Sequence, residues 1–497
     1  MNIALLLQMA AEACPDRRAL THHGNHYTYE DLYHAAHKAA HRFSASGCEY
    51  VSVLDVSSPM VPIALMGAAM AGIPYVPLNY RLSEEQLDGL FRRIEPAFLI
   101  VDDANVEHTK VKGHVVGRQE FMHDLGEQDH EPFTWNEDPA AVAIQLFTSG
   151  TTGTPKAAIL RHENLVSYIL GSVEFMGAED HHSTLVSVPP YHIAGISAVM
   201  SSIYACRRIV QLPNFNPTDW LGLAVEEGVT NAFVVPTMLS RIIEEMEDKD
   251  MDPAGLEALG ALAYGGGKMP VPVIRRALEL MPGISFTNAY GLTETSSTIT
   301  LLDPDDHRTA LDHEDETVQA RLGSVGKPLP MVEIEIRDED GNVLGPNEPG
   351  EIYVRGPQVS GEYLEKKAVL DDGFFPTRDA GYLDDHGYLY LSGRADDVIV
   401  RGGENISPAE IEDLMHEWPE VSDVAAVGIP SEEWGEAIAL VVVLREGATP
   451  IDEKIHEEIH KHLRSSRIPE VIRYEQELPY NETGKLLRRV IREWFAG

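Results

Sequence analysis

Residues 146–160 read LFTSGTTGTPKAAIL, and the core of the stretch, Thr148-Ser149-Gly150-Thr151-Thr152-Gly153-Thr154-Pro155-Lys156, sets five hydroxyls, two glycines and one lysine within nine residues. Glycine lets backbone N–H groups approach an anion closely, hydroxyls add donors, and lysine adds a compact positive charge. That combination suits a polyphosphate. Residues 140–147 are apolar enough for a buried strand, and 162–171 have the spacing of a helix. The loop is therefore expected at a strand-to-helix junction, where helix N-termini favour anions. It is not a Walker A loop, which needs G-x-x-x-x-G-K-[ST]; here Lys156 is followed by Ala157. Pro155 stiffens the segment, which weighs against a merely flexible polar loop.

Working outward, short apolar runs at 50–56, 97–101, 184–188, 208–211 and 231–235 alternate with helical patterns up to about residue 300. This predicts an α/β fold with mostly parallel sheets covered by helices. From Val332 the period switches to two: Val332-Glu333-Ile334-Glu335-Ile336 alternates, Asp340-Gly341 supplies a turn, and 351–355 makes another strand. A second hairpin is expected over 381–391, turning through Asp384-Asp385-His386-Gly387. An antiparallel β subdomain is thus placed at about 325–393. Gly393-Arg394-Ala395-Asp396-Asp397 is a polar break, and the domain boundary is set there: 1–393, then a small α+β domain over 394–497. In the latter, 424–429 and 437–443 read as strands, and 451–463 and 486–495 as helices.

With 497 residues the chain exceeds a single core. Its 79 acidic and 39 basic residues give a formal net charge of −40. Such a surface repels nucleic acid and anionic membranes, so neither is expected as a partner, and any ATP site has to be locally basic. Cys14, Cys48 and Cys206 form no disulfide framework, which points to a reducing cytoplasm. Ile3, Leu6, Leu7 and Ala10 share a helical face without a basic leader before them, so the N-terminus reads as a docking helix and not a signal peptide. The apolar stretch 61–78 is broken by Pro62, Gly72, Pro74 and Pro77, which argues against an integral membrane segment. His34, His37 and His41 lie on one helical face, but no glutamate sits between them as in H-E-x-x-H. That region reads as an alanine-rich surface helix, not a metal site.

Several motifs follow the loop in a fixed order: Pro190-Tyr191-His192, Tyr264-Gly265-Gly266-Gly267, Asn288-Ala289-Tyr290-Gly291-Leu292-Thr293-Glu294, Thr377-Arg378-Asp379, Gly393-Arg394-Ala395-Asp396-Asp397, Arg401-Gly402-Gly403-Glu404-Asn405-Ile406 and Gly484-Lys485. Over essentially its whole length the chain resembles the acyl-CoA synthetases of the adenylate-forming superfamily, near the fatty-acyl and aryl-CoA ligases. The resemblance implies a large N-terminal domain and a small mobile C-terminal one. It also implies a two-step reaction: a carboxylate attacks the α-phosphate of ATP to give acyl-AMP and pyrophosphate, and the thiol of CoA then displaces AMP. The implied cofactors are ATP, Mg²⁺ and CoA, the implied partner is a small carboxylic acid, and a homodimer is compatible with it.

Carried over by position, the resemblance assigns Thr148, Ser149, Gly150, Thr151, Thr152, Gly153, Thr154 and Lys156 to the β- and γ-phosphates. Thr293 would contact the α-phosphate, and Glu294 would hold Mg²⁺, a hard cation that prefers oxygen. Gly265, Gly266, Gly267 and Asn288 would line the adenine pocket with Tyr290 near the base; Asp379 would accept from the ribose hydroxyls and Arg394 reach ribose or phosphate. The family more often has glycine where Arg378 stands, which unsettles the geometry of that loop, and glycine is common where Ala157 stands. Lys485 would bridge the carboxylate and the α-phosphate, Asp396 would be the pivot between two poses, and Trp434 with Gly402 and Gly403 would face the CoA channel.

The acyl pocket is expected from His192, Ile193, Gly195, Val235, Gly266, Gly291 and Ser296, a mostly apolar set with no fixed cation. It favours a fatty or aromatic monocarboxylate over a dicarboxylate or an amino acid. Two alternatives stand beside this: the same adenylation delivering to a carrier-protein thiol, and a non-catalytic nucleotide-binding relative.

Overall fold

The computed structural model describes the chain except residues 128–130, 149–154, 252, 395–396, 402–403, 432–433, 451, 482–485 and 496–497; for 127, 253–254, 394 and 404–405 the backbone alone is described. Strand Ala97–Val101 is buried at every position and Tyr50–Leu54 at all but its first, as befits parallel strands covered on both faces. They pair in parallel with each other and with Gly113–Gly117 and Tyr75–Pro77, beyond which lies Val142–Thr148. Antiparallel Lys156–Arg161, Glu362–Tyr363 and Lys366–Lys367 complete an eight-stranded sheet.

A nine-stranded sheet has a parallel centre of Arg18–His22, Arg208–Gln211, Ser183–Val186, Asn231–Val234, Ala261–Gly265 and Ser285–Leu292. Its antiparallel margins are Asn25–Thr28 at one end and Ser297–Leu302 with Lys327–Pro328 at the other. The expected alternation over the first three hundred residues is therefore present. Helix Met60–Ala71 is buried on all sides and ends at left-handed Gly72, with strand Tyr75–Pro77 after it. Among the described residues no helix is long and apolar enough to cross a membrane.

One expectation is corrected. Helix Tyr29–Ser46 is not a surface helix, because Ala36, Ala39 and Ala40 are fully buried. Small side chains let it lie close against Met60–Ala71: a Cβ on Gly67 would stand 2.7 Å from that of Ala39.

Strands Glu333–Arg337, Gly350–Arg355, Phe375–Leu383 and Leu389–Arg394 form an antiparallel sheet in that order. The period-two run is thus a strand, and Gly341 (φ 85°) and Gly387 (φ 78°) take the left-handed positions of its two turns. The smaller C-terminal part has its own sheet, with the long hairpin Val421–Ser431/Gly435–Leu444 flanked by Ile399–Arg401, Glu404–Ile406 and Val471–Glu475. Helices Pro408–His416, Asp452–His462 and Arg488–Glu493 pack with it. Large α/β part and small α+β part together are the architecture the sequence implied.

Candidate active site

Strands Val142–Thr148 and Lys156–Arg161 pair antiparallel, with Thr148 opposite Lys156. Residues 149–154 thus join two strands, and helix His162–Ser172 begins only after the second. The expected strand-to-helix junction is overturned. A short apolar run such as Ala157-Ala158-Ile159-Leu160 has no readable period, so strand and helix were indistinguishable there. Among the described residues, no helix N-terminus directly follows residues 149–154. Ser149, Gly150, Thr151, Thr152, Gly153 and Thr154 lie outside the described residues; Thr148 and Lys156 frame them.

The hairpin Ser285–Leu292/Ser297–Leu302 carries the next group. Its turn is the 3-10 segment Thr293–Thr295. A Cβ on Gly291 would stand 1.8 Å from the Ser297 carbonyl, so only glycine admits this crossing. The turn is braced from behind: Gln358 Nε2 donates to the carbonyls of Thr295 (3.0 Å) and Thr298 (2.7 Å). Ser296 is fully buried, and its hydroxyl donates to the Gln358 carbonyl at 2.8 Å, which braces the turn. Glu294, 9% exposed, has its main-chain carbonyl bonded by the N–H groups of Ser360 and Gly361. Its carboxylate Oε1 accepts from the Tyr363 hydroxyl at 2.6 Å. The Lys156 ammonium stands 5.8 Å from the centre of the same tyrosine ring. Tyr363 therefore joins the loop lysine to the turn acid, a link that sequence reading missed.

Tyr290, on the same strand, donates its hydroxyl to Asp379 Oδ2 at 2.6 Å, and both residues are buried. Asp379 in turn is the cross-strand partner of Arg394, whose backbone alone is described. Arg378 is not in a loop: it lies within strand Phe375–Leu383, where the pairing with Gly350–Arg355 is irregular, and it has φ 63°, the left-handed conformation that glycine tolerates best, without displacing Asp379 from Tyr290. Asn288 donates to the Ser324 carbonyl at 3.0 Å. A Cβ on Gly265 would lie 2.0 Å from the Ala289 carbonyl, so that glycine serves strand packing. Gly266 has φ 83° and faces Val235, and Gly267 follows it out of the strand.

His192 caps helix Ile193–Tyr204, and Gly195 packs against the Pro189 carbonyl, 2.7 Å from where a Cβ would be. The His192 Nε2 is buried without a hydrogen-bond partner. Burial, and secondarily the nearby Arg81 charge, push its pKa down to about 4, so the ring is neutral at physiological pH. Trp434 is 44% exposed, and the Arg401 guanidinium lies 5.3 Å from its ring centre. Lys485, Asp396, Gly402 and Gly403 lie outside the described residues.

Of the three helical histidines, His37 accepts the Phe133 N–H at Nδ1 (2.7 Å) and His41 Nε2 meets the Glu131 carbonyl (2.7 Å). Glu179, His181 and His182 bring three donor atoms within 4.8 Å. There His182 Nδ1 already accepts the Glu179 N–H at 3.1 Å, which leaves the proton on its other nitrogen. A surface groove of about 1030 Å³ lined by Arg17, Arg18, Arg208 and Glu227 lies apart from every motif residue.

The profile described as AMP-binding enzyme matches residues 7–364, and that of the AMP-binding enzyme C-terminal domain matches 410–485. The 2-succinylbenzoate–CoA ligase of Bacillus licheniformis is 31% identical over 97% of this chain and 98% of its own length. That of Bacillus cereus is 32% identical over 98% and 97%. Among solved structures, the o-succinylbenzoate CoA synthetase of Bacillus subtilis, in complex with its acyl-adenylate intermediate, superposes with a TM-score of 0.84 at 29% identity, covering 98% of this chain and 97% of that one. ATP-bound MatB of Rhodopseudomonas palustris gives 0.88 at 26% identity, covering 100% and 99%.

Proposed function

Since the chain belongs to the AMP-binding enzyme family and is an AMP-forming acid–thiol ligase using ATP and CoA, we propose that its acid is an aryl carboxylate of the 2-succinylbenzoate kind, a keto-dicarboxylate and so a departure from the monocarboxylate expected from the sequence. The observation that carries the site is the convergence at the end of strand Ser285–Leu292 of Tyr290 with Asp379 and of Glu294 with Tyr363 and Lys156. One edge thus offers an acceptor for a ribose diol, a carboxylate for a hard cation and a cation for a polyphosphate.

In this reading Asp379 accepts from the ribose hydroxyls while Tyr290 fixes one of its oxygens. Asn288 and the backbone at 265–267 flank the adenine, and Arg394 reaches ribose or phosphate. Residues 148–156 hold the β- and γ-phosphates, and Thr293 donates to the α-phosphate. Glu294, a buried carboxylate already oriented by Tyr363, fits Mg²⁺, which when bound offsets charge between the phosphates. Lys485 stabilises the charge that develops as carboxylate and α-phosphate meet. The C-terminal domain then swings about Asp396, with the boundary at 393/394, and opens the channel past Trp434, Gly402 and Gly403 to the CoA thiol. A cytoplasmic site of action and a homodimer belong to the same reading.

The acid pocket is built on His192, Ile193, Gly195 and Val235. A neutral imidazole donates one hydrogen bond to a side-chain ketone or second carboxylate without bringing a charge, and the rest of the set suits a ring. The test is an acid panel of 2-succinylbenzoate, simple benzoates and fatty acids, read by CoA-dependent AMP release. The highest kcat/KM is expected among the aryl acids. Preference for a fatty acid would move the chain to lipid metabolism, and absence of AMP release with every acid would remove the activity.

A further inference from the structure

Arg93, in the turn after helix Glu84–Phe91, reaches three segments of chain that are remote from it in sequence. Its Nη1 donates to the Pro155 carbonyl at 2.6 Å, and its Nη2 donates to the Glu365 carboxylate. Its guanidinium carbon stands 4.9 Å from the centre of the Phe147 ring. Phe147 lies one residue before the end of strand Val142–Thr148, and Pro155 directly precedes strand Lys156–Arg161, so both arms of that hairpin are held by one side chain. Glu365 lies in the turn between Glu362–Tyr363 and Lys366–Lys367. This small hairpin is itself laid onto Lys156–Arg161: Tyr363 stands opposite Ala158, and the Leu364 N–H donates to the Ala157 carbonyl at 2.9 Å.

Each of these contacts adjoins a residue of the site. The Pro155 carbonyl belongs to the peptide that carries the Lys156 N–H, and Glu365 is two residues from Tyr363, which joins Lys156 to Glu294. The Arg93 side chain is 22% exposed and that of Glu365 54%, and an ion pair so open to water adds little to stability. A planar guanidinium, however, donates from its edge while stacking by its face, and so fixes several partners in one geometry; an ammonium does not. We infer that Arg93 is a positioning residue for adenylation: by bridging Phe147, Pro155 and Glu365 it sets the Lys156 ammonium against Tyr363 and Glu294, without itself touching the nucleotide. This role presupposes the polyphosphate role proposed above for Lys156.

A double-mutant cycle read by ATP–pyrophosphate exchange separates positioning from a merely structural role. Arg93→Lys keeps the positive charge and loses the planar fork; Lys156→Met removes the group it is held to place. Misplacing a reacting partner by about 1 Å costs about 10²-fold. Arg93→Lys is therefore expected to lower kcat/KM for ATP by about 10- to 10²-fold in the wild-type background, with the KM for the acid within about 2-fold. In the Lys156→Met background the same change should cost about 3-fold or less, because the residue it acts through is gone. Equal losses in the two backgrounds overturn the inference, as does an Arg93→Lys variant with wild-type exchange, which would leave Arg93 acting by charge alone or not at all. If Lys156→Met by itself leaves exchange intact, the lysine's role fails and that of Arg93 falls with it; the single variant reports this before Arg93 is touched. Should Arg93→Lys lose its circular dichroism signal, Glu365→Gln replaces it in the cycle, with about 10-fold expected in the wild-type background and about 2-fold or less in Lys156→Met.

Discussion

Acid should loosen the N-terminal helix through one buried histidine. His162 is 1% exposed, and its Nδ1 accepts the Ile3 N–H at 3.3 Å, just before helix Ala4–Ala13. Burial, and then the N-terminal ammonium, push its pKa from the ordinary 6.5 down to about 4. The unfolded chain therefore binds the proton first as pH falls. The stabilisation is complete above pH 6.5 and is lost progressively toward pH 4. Between pH 7 and pH 5 the loss comes to about 2 kcal/mol, or about 30-fold in the opening equilibrium. Hydrogen exchange of peptides covering residues 2–10, corrected for the intrinsic pH dependence, reads this directly. Protection in the wild-type protein is expected to drop about 30-fold over that interval. In His162→Asn the amide oxygen takes the place of Nδ1 and has no proton to gain, so the drop should shrink to about 3-fold or less. An equal drop in both proteins would refute the assignment to His162.

Tyr363→Phe removes a charge-assisted hydrogen bond worth about 1.5 kcal/mol or more, so kcat/KM should fall at least about 10-fold and the Mg²⁺ needed for half-maximal rate should rise. Glu294→Gln should raise that Mg²⁺ requirement further, and titration of rate against Mg²⁺ checks both. Arg378→Gly relieves a left-handed φ of 63°, and after the added entropy of glycine a net gain of about 0.5 kcal/mol is expected in urea unfolding, with the KM for ATP unchanged. Asp396→Pro should lock one pose; if that is the adenylating pose, acyl-AMP forms normally while thioester production falls by orders of magnitude, and two unaffected half-reactions would exclude a pivot.

Much of this protein was legible in its linear text. A run buried on both faces, such as Ala97–Val101, announces a parallel strand by composition, and the alternation at 332–336 announces an antiparallel one by period. The phosphate-type loop, the glycine triplet and the Thr293-Glu294 pair suggest the chemistry proposed for them because each is a local cluster of donors, bare backbone or carboxylate. Other features existed only in three dimensions. Lys156–Arg161 became a strand because Val142–Thr148 and Glu362–Tyr363 flank it, and no property of its own four apolar residues requires that. His37 and His41 share a helical face, yet the backbone of residues 131 and 133 claims them. The contacts that assemble the site, Tyr290 with Asp379 and Glu294 with Tyr363, span 89 and 69 residues. Periodicity records which face of a strand is buried; it does not record which strand lies beside it or in what register. A slip of one residue would turn Tyr290 or Tyr363 to the opposite face, so strand order and register, set only by the packed sheets, decide that these side chains meet.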